Sequence, residues 1–256
     1  MKIATWNVNS IRARIPIVTD WLDRAEPDVL LLQETKCLSE KFPSEPFEER
    51  NYNIAMIGEP SLNGVAILSK SPLEDVVTRL PGDQSDDEAR YIEATANGVR
   101  VASVYVPNGT KVASDRFTFK LAFFDRLRAH AANLLESDQP LVIGGDYNVA
   151  PTPIDVYDAN ELEGTICYHP AEREKWRMLV NIGLYDAYRA VAPEAVTFSW
   201  WHYQARSFQL GHGLRIDHLL LSPNALDRLE AVEIDDQPRR EKTPSDHTPV
   251  WCKLAA

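Results

Sequence analysis

Residues 140–148 read PLVIGGDYN. An apolar run meets two glycines and then Asp146 and Asn148. The run is apolar on both faces, as is DVLLL at 28–32, so a strand here needs cover on both sides, from helices or from a second sheet. Comparable segments recur at 2–8, 28–33, 53–57, 64–69, 91–96, 100–105, 216–221 and 248–254. Most are rich in Val, Ile, Leu or aromatic residues and close on Gly, Pro, Asn, Asp or Ser. A longer apolar period marks helices. One face carries Ile15, Val18 and Leu22, with Pro16 tolerable only in a first turn. A second carries Phe117, Leu121, Phe124, Leu127, Ala131 and Leu134. A third carries Trp176, Leu179 and Val180, with Gly183 placed as a C-terminal cap. These helices are too few for a singly wound parallel sheet, and Asn97–Gly98 joins two neighbouring runs as a hairpin would. The pattern predicts two mixed sheets packed face to face, with helices outside.

The 256 residues contain no linker or low-complexity tract, and a single domain over 1–256 is expected. The apolar and charged fractions, 44% and 25%, exclude disordered, collagenous and coiled-coil chains. No apolar run is long enough for a spanning helix, and the opening MKIATWNVNS lacks the apolar region of a signal peptide. Cys37, Cys167 and Cys252 are odd in number and far apart, which fits small buried side chains in a reducing cytosol better than disulfides or zinc. A cytoplasmic protein without membrane contact is expected.

The net charge of −11 argues by itself against a nucleic-acid partner. The charges are unevenly spread, however. Residues 136–163 hold seven carboxylates and no Lys or Arg, whereas 197–216 hold no carboxylate but carry His202, Arg206, His212 and Arg215. Either a basic strip is set against an acidic body, or carboxylates gather around a metal that neutralises them.

Polar residues interrupt or end the strand segments in a consistent way. Asn7 and Asn9 follow the first, Glu34 ends DVLLLQE, Tyr105 ends VASVY, and Asp146 and Asn148 end PLVIGG. Asp217 sits inside LRIDHLLLS, and Asp246 and His247 open the last segment in SDHTPVW. Each has an ordinary alternative: turn chemistry for Asn9, a cap for Glu34, a satisfied core pair for Asp217 with His218, a buried hydroxyl for Tyr105. Together they place carboxylates, amides, a histidine and a tyrosine at one rim, as a magnesium-dependent phosphodiesterase would need, because Mg²⁺ takes oxygen ligands and leaves positions for water and phosphate. No P-loop, GxSxG or HExxH competes with that reading.

TWNVNSIRAR, PDVLLLQETK, GVAILSK, LPGD with Arg90, YVPNG, GGDYNVAPT, FSW, GLRIDHLLLS and KTPSDHTPVW, in this order from residue 1 to 254, resemble the exonuclease III family of apurinic/apyrimidinic endonucleases, within the wider endonuclease/exonuclease/phosphatase superfamily. The resemblance implies a four-layer α/β sandwich. It implies metal-binding roles for Asn7 and Glu34, a catalytic Tyr105, an acid/base Asp146 partnered by Asn148, an Asp217 that orients His247, and the terminal pair Asp246–His247, with Asp246 supporting the metal. Asp146, Asn148 and His247 are also eligible as a second metal site. Mg²⁺ is the expected cofactor, with Mn²⁺ as a tolerated substitute.

The expected substrate is double-stranded DNA with abasic sites or damaged 3′ ends, cut by endonuclease and 3′→5′ exonuclease action of a monomer. Trp200, Leu214 and Ile216 resemble the walls of an apolar pocket for a base-free deoxyribose. Arg90, Lys111, Arg116, Lys120 and Arg206 are candidate DNA contacts, with solvated surface charge as the alternative for each. The chain departs from the family pattern at Asn9, in the loop 153–163, at His202 and at His212. The missing basic extension before residue 1 gives it the look of a minimal bacterial enzyme.

Overall fold

The computed structural model describes residues 1–255 as one α/β body with fourteen strands. In chain order these are Lys2–Asn7 (β1), Val29–Gln33 (β2), Asn53–Ile57 (β3), Val65–Ser69 (β4), Leu73–Val77 (β5), Tyr91–Ala96 (β6), Val99–Tyr105 (β7), Leu141–Asp146 (β8), Tyr185–Asp186 (β9), Trp200–Trp201 (β10), Gly213–Leu214 (β11), Asp217–Leu221 (β12), Leu229–Ile234 (β13) and Val250–Leu254 (β14). Twelve form two six-stranded sheets, β13-β14-β1-β2-β4-β3 and β5-β6-β7-β8-β12-β9, while β10 and β11 make a separate ribbon. Each large sheet has one parallel pair at its centre, β1 with β2 and β7 with β8, and is otherwise antiparallel.

The sheets face each other across a core of Ile3, Val29, Leu31, Val65 and Ile67 from one and Ile92, Val101, Val142, Leu219 and Leu221 from the other. Each such side chain contributes about 1.5–3 kcal/mol of burial. Helices close the outer faces. Ile11–Ala25 packs Val18, Trp21 and Leu22 against Trp6, Leu30 and Leu32. Asp115–Leu135 and Pro170–Val180 bring Phe123, Phe124, Leu127, Trp176 and Leu179 over Ala102, Val104, Ile143 and Leu220. This is the four-layer sandwich expected from strands apolar on both faces. Among the described residues no helix is long and apolar enough to cross a membrane.

The glycines of PLVIGGDYN are explained by these contacts. A Cβ on Gly145 would lie 1.9 Å from the Val104 carbonyl oxygen, and one on Gly144 would lie 2.7 Å from both Leu31 and Leu219. At Gly144 the obstacles are Leu31 of the facing sheet and Leu219 of the neighbouring strand, and at Gly145 the obstacle is the neighbouring strand β7 itself, so neither position has room for a side chain.

The structure corrects several expectations. The first helix starts at Ile11, so Pro16 lies in its second turn rather than its first. The missing N–H there costs one helical bond, and the Thr19 hydroxyl donates to the carbonyls of Ile15 and Pro16. The last strand begins at Val250, leaving Asp246 and His247 in the segment before it. Strands β5 and β13 had no counterpart among the expected segments. Both are edge elements: four of the five β5 residues are exposed, and β13 exposes Glu230 and Glu233.

Candidate active site

The site is assembled from strand ends in register. On one sheet Tyr105 of β7 pairs with Asp146 of β8, and Asp146 pairs with Asp217 of β12, so the three lie side by side. On the other, Asn7 of β1 pairs with Gln33 of β2, which places Glu34 next to it. Below them Gln33 Nε2 donates to Thr5 and Ser103 hydroxyls, and the Ser103 hydroxyl donates to the Leu32 carbonyl. This satisfied polar layer crosses between the sheets and holds their ends together.

Glu34 and Asn148 each follow a strand in the left-handed region, at φ 51°. For residues other than glycine this costs about 1–2 kcal/mol apiece, a local strain that turns both side chains back toward Asp146. The Asn7 amide nitrogen donates to Glu34 Oε1 at 2.7 Å and to Asp146 Oδ2 at 3.0 Å. Asn148 donates to Asp146 through its backbone N–H at 2.8 Å and through its side chain at 3.2 Å. His247 presents Nδ1 to Asp217 Oδ2 at 2.9 Å and Nε2 to Asp146 Oδ2 at 3.7 Å. The segment carrying it is fixed by a bridge to Trp200 and by the Thr248 N–H donating to the Ser199 carbonyl.

The electrostatics follow from burial and these neighbours. Burial, together with the charges of Asp217 and Glu34, raises the Asp146 carboxyl above its ordinary range against the pull of His247. Burial disfavours the His247 imidazolium, but Asp217 and Asp146 outweigh it and push that pKa up. Burial also works against ionised Glu34, yet the Lys36 ammonium 2.6 Å away and the Asn7 amide leave it lowered. Tyr105, buried beside Glu34 and Asp146, is raised well above a free phenol and keeps its proton.

Ligand atoms of Glu34, Asp146 and His247 lie within 4.8 Å of one another. The Glu34 and Asp146 carboxylates converge on the single Asn7 amide, and their oxygens suit a small hard cation. The donor set therefore fits a divalent metal. Asp146 and His247, two of the three residues put forward for a second metal site, lie in the same cluster as Glu34. Asp246 stands at the rim, where Asn9 donates to one of its oxygens at 2.9 Å and the Trp200 indole to the other at 3.0 Å. It thereby ties the Asn9 turn to the pocket wall.

Trp200, Leu214 and Ile216 line one cavity with Glu34, Tyr105, Asp146, Asn148 and His247. The cationic candidates divide. Lys111 and Arg206 are exposed, and Arg116 is partly exposed while ion-paired with Glu88. Lys120 is fully buried: it pairs with Glu172 and donates to the carbonyls of Asn148, at 2.7 Å, and Asn108, at 3.0 Å. It cannot reach a phosphate in this position and instead holds the Asn148 turn. Arg90 is also buried, paired with Glu88, with its guanidinium 4.6 Å from the Tyr105 ring centre. It props Tyr105 rather than facing solvent.

The basic strip is likewise less basic than its sequence. Arg215 is buried beneath it on Asp155 and Asp186. Two polar residues with no role assigned from sequence join the site. Asn108 donates to Asn148 Oδ1 at 2.9 Å, and Ser199 donates to Asp217 Oδ2 at 2.6 Å. Both lay in quoted segments, YVPNG and FSW, as polar residues next to strand-like runs.

A model of the Endonuclease/Exonuclease/phosphatase family matches residues 4–247. Exodeoxyribonuclease III of Haemophilus influenzae is 32% identical over 99% of this chain and all of its own length. DNA repair nuclease APEX1 of Danio rerio is 30% identical over 100% of this chain and 82% of its own. Among solved structures, the 3′ phosphatase NExo from Neisseria bound to product DNA hairpin superposes with a TM-score of 0.98 at 38% identity, and an AP endonuclease from Archaeoglobus fulgidus with 0.97 at 35%, each over the full length of both chains.

Proposed function

The chain belongs to the endonuclease/exonuclease/phosphatase family, among the exodeoxyribonuclease III and AP-endonuclease DNA repair nucleases, and on that premise we propose that it is a Mg²⁺-dependent monomeric phosphodiesterase of the cytoplasm. It cuts double-stranded DNA at abasic sites and removes nucleotides or blocking groups from 3′ ends. The observation that carries this reading is the convergence of Glu34, Asp146 and His247 within 4.8 Å at the floor of a cavity walled by Trp200, Leu214 and Ile216.

Glu34 would hold the cation, with the Asn7 amide turned to offer its oxygen and Asp246 in support. Mg²⁺ bound there supplies charge neutralisation at the phosphate oxygens, and Mn²⁺ is expected to substitute. Asp146, which accepts from Asn7 and Asn148 and lies 3.7 Å from His247 Nε2, is the group placed to take a proton from water or give one to the leaving oxygen. Asn148 carries no exchangeable charge and orients by hydrogen bonding alone. His247, charged through Asp217, directs its Nε2–H at the scissile phosphate. The Tyr105 phenol donates to it from the neighbouring strand. Lys111, Arg206 and the free edge of Arg116 supply backbone contacts.

The test is a labelled duplex with one abasic site and a second with a recessed 3′ end, incubated with Mg²⁺, with Mn²⁺ and with EDTA. Cleavage of both that depends on the metal is expected. Cleavage that survives EDTA would refute the metal assignment.

A further inference from the structure

We propose that the outer end of the active-site cavity is a nucleobase subsite built on Tyr157 and His212, and that it makes this chain favour unpaired nucleotides still carrying their base, the 3′-terminal nucleotide above all, over base-free sugars. The inference rests on the nuclease reading above and names the substrate class that the same site selects.

The cavity is one space of about 710 Å³ that runs from the Glu34–Asp146–His247 cluster to Tyr157, Leu162, Ile166 and His212. Pockets of roughly 300–1,000 Å³ enclose drug-sized molecules. A deoxyribose seated against Trp200, Leu214 and Ile216 leaves the outer end empty, and a flat heterocycle attached to that sugar fills it.

The outer end has the chemistry a base requires. Tyr157 and His212 stack with ring centroids 4.6 Å apart and planes 15° from parallel. They come from different segments and are locked together by backbone. The Tyr157 N–H donates to the Gly213 carbonyl at 3.1 Å, and Val156 bridges to Leu214. The Tyr157 hydroxyl donates to Glu161 at 2.9 Å, which fixes the ring from its far edge. A second aromatic pair, His202 edge-on to Trp200 at 6.0 Å, lines the same cavity. No Lys or Arg lines the cavity, and its outer end carries the Glu161 carboxylate, which repels a phosphate there. Aromatic faces with apolar floors recognise bases without regard to sequence.

The placement of the chain's departures from its family pattern points the same way. Of the four departures, the loop 153–163, His202 and His212 contribute to this cavity, while Asn9 does not line it.

Two 3′-recessed duplexes test this, identical except that the terminal residue carries its base or is a tetrahydrofuran. Removal of that residue is followed for the wild type and for Tyr157→Ala, His212→Ala and His212→Phe. The alanine variants are expected to lose about fivefold or more in kcat/KM on the base-bearing end, the lower bound for one stacked base. They should remain near wild type on the tetrahydrofuran end, and His212→Phe, which keeps the stack, should restore the base-bearing rate. Equal losses on both ends, or no loss on either, would overturn the subsite while leaving the nuclease reading intact. A wild-type chain that processes neither end with Mg²⁺ would bring down the nuclease reading and the subsite with it.

Discussion

Asp217 offers both carboxylate oxygens to Nδ1 of His247, at 2.9 and 3.1 Å, while Ser199 donates to the same carboxylate at 2.6 Å. The imidazole is thereby fixed with its Nε2 toward Asp146, and the two residues act as one unit. Asp217→Ala should lower kcat less than His247→Ala does, and the double variant should cost little more than His247→Ala alone, because residues of a unit are non-additive. Measuring kcat for the four proteins on an abasic duplex decides it; fully additive losses would show that they work independently.

Lys120 lies behind the site, yet its ammonium binds the Asn148 carbonyl at 2.7 Å. Lys120→Met leaves Glu172 buried without its partner, which should cost about 3–5 kcal/mol of stability. Lys120→Met with Glu172→Leu removes the unpaired charge and should recover much of that loss in urea unfolding. The Asn148 turn stays unsupported in both, so kcat should remain depressed in the double variant. Activity returning together with stability would show that the pair is structural only.

The metal should be separable from the fold, because the core is formed by the two sheets and their helices without it. EDTA is expected to leave the circular dichroism spectrum unchanged. Saturating Mg²⁺ should raise the Tm, by about 2.7 kcal/mol of linked stabilisation at one hundred times its Kd. Glu34→Gln should abolish that increment, and a thermal shift that persists in this variant would place the ion elsewhere.

The layered fold and most of the site were legible because strand ends are simple. An apolar run that stops on Asn7, Glu34 or Asp146 announces both its direction and a polar rim. The sequence was misleading at Lys120, Arg90 and Arg215. A cation reads as surface charge until its partner is known, and Glu172, Glu88 and Asp155 lie 52, 2 and 60 residues away respectively. Nor was the meeting of Tyr157 with His212 foreseeable, since it depends on how two loops fold over the same cavity. Strands β5 and β13 escaped because their acidic residues, Glu74 and Asp75 in one and Glu230 and Glu233 in the other, break the continuous apolar run that marked the others.

Away from the site, Glu93 accepts from Tyr91, Arg100 and His130 inside the second sheet. Burial works against its charge, but these partners hold its pKa down at about 2. A carboxylate depressed on folding adds stability above its unfolded pKa of about 4.3 and loses it as pH falls toward the folded value. Glu93→Gln should therefore lower stability at pH 7, by about 1–3 kcal/mol for bonds to a charged group. The gap to wild type should narrow between about pH 4.5 and pH 2. Urea midpoints across that range check it, and a gap independent of pH would mean that the charge contributes nothing.

The central claim is that Asp146 acts on the reacting atoms. Asp146→Asn keeps the shape and one carbonyl oxygen for the Asn148 N–H, but it sets an NH₂ against the donor amides of Asn7 and Asn148 and gives up the proton-accepting charge. The decisive measurement pairs single-turnover cleavage of an abasic duplex in saturating Mg²⁺ with the Kd for the same duplex. A fall of about 10²–10⁴-fold in the cleavage rate with a nearly unchanged Kd is predicted. A variant that cleaves within a few-fold of wild type, or one that fails only because it no longer binds DNA, would contradict the assignment.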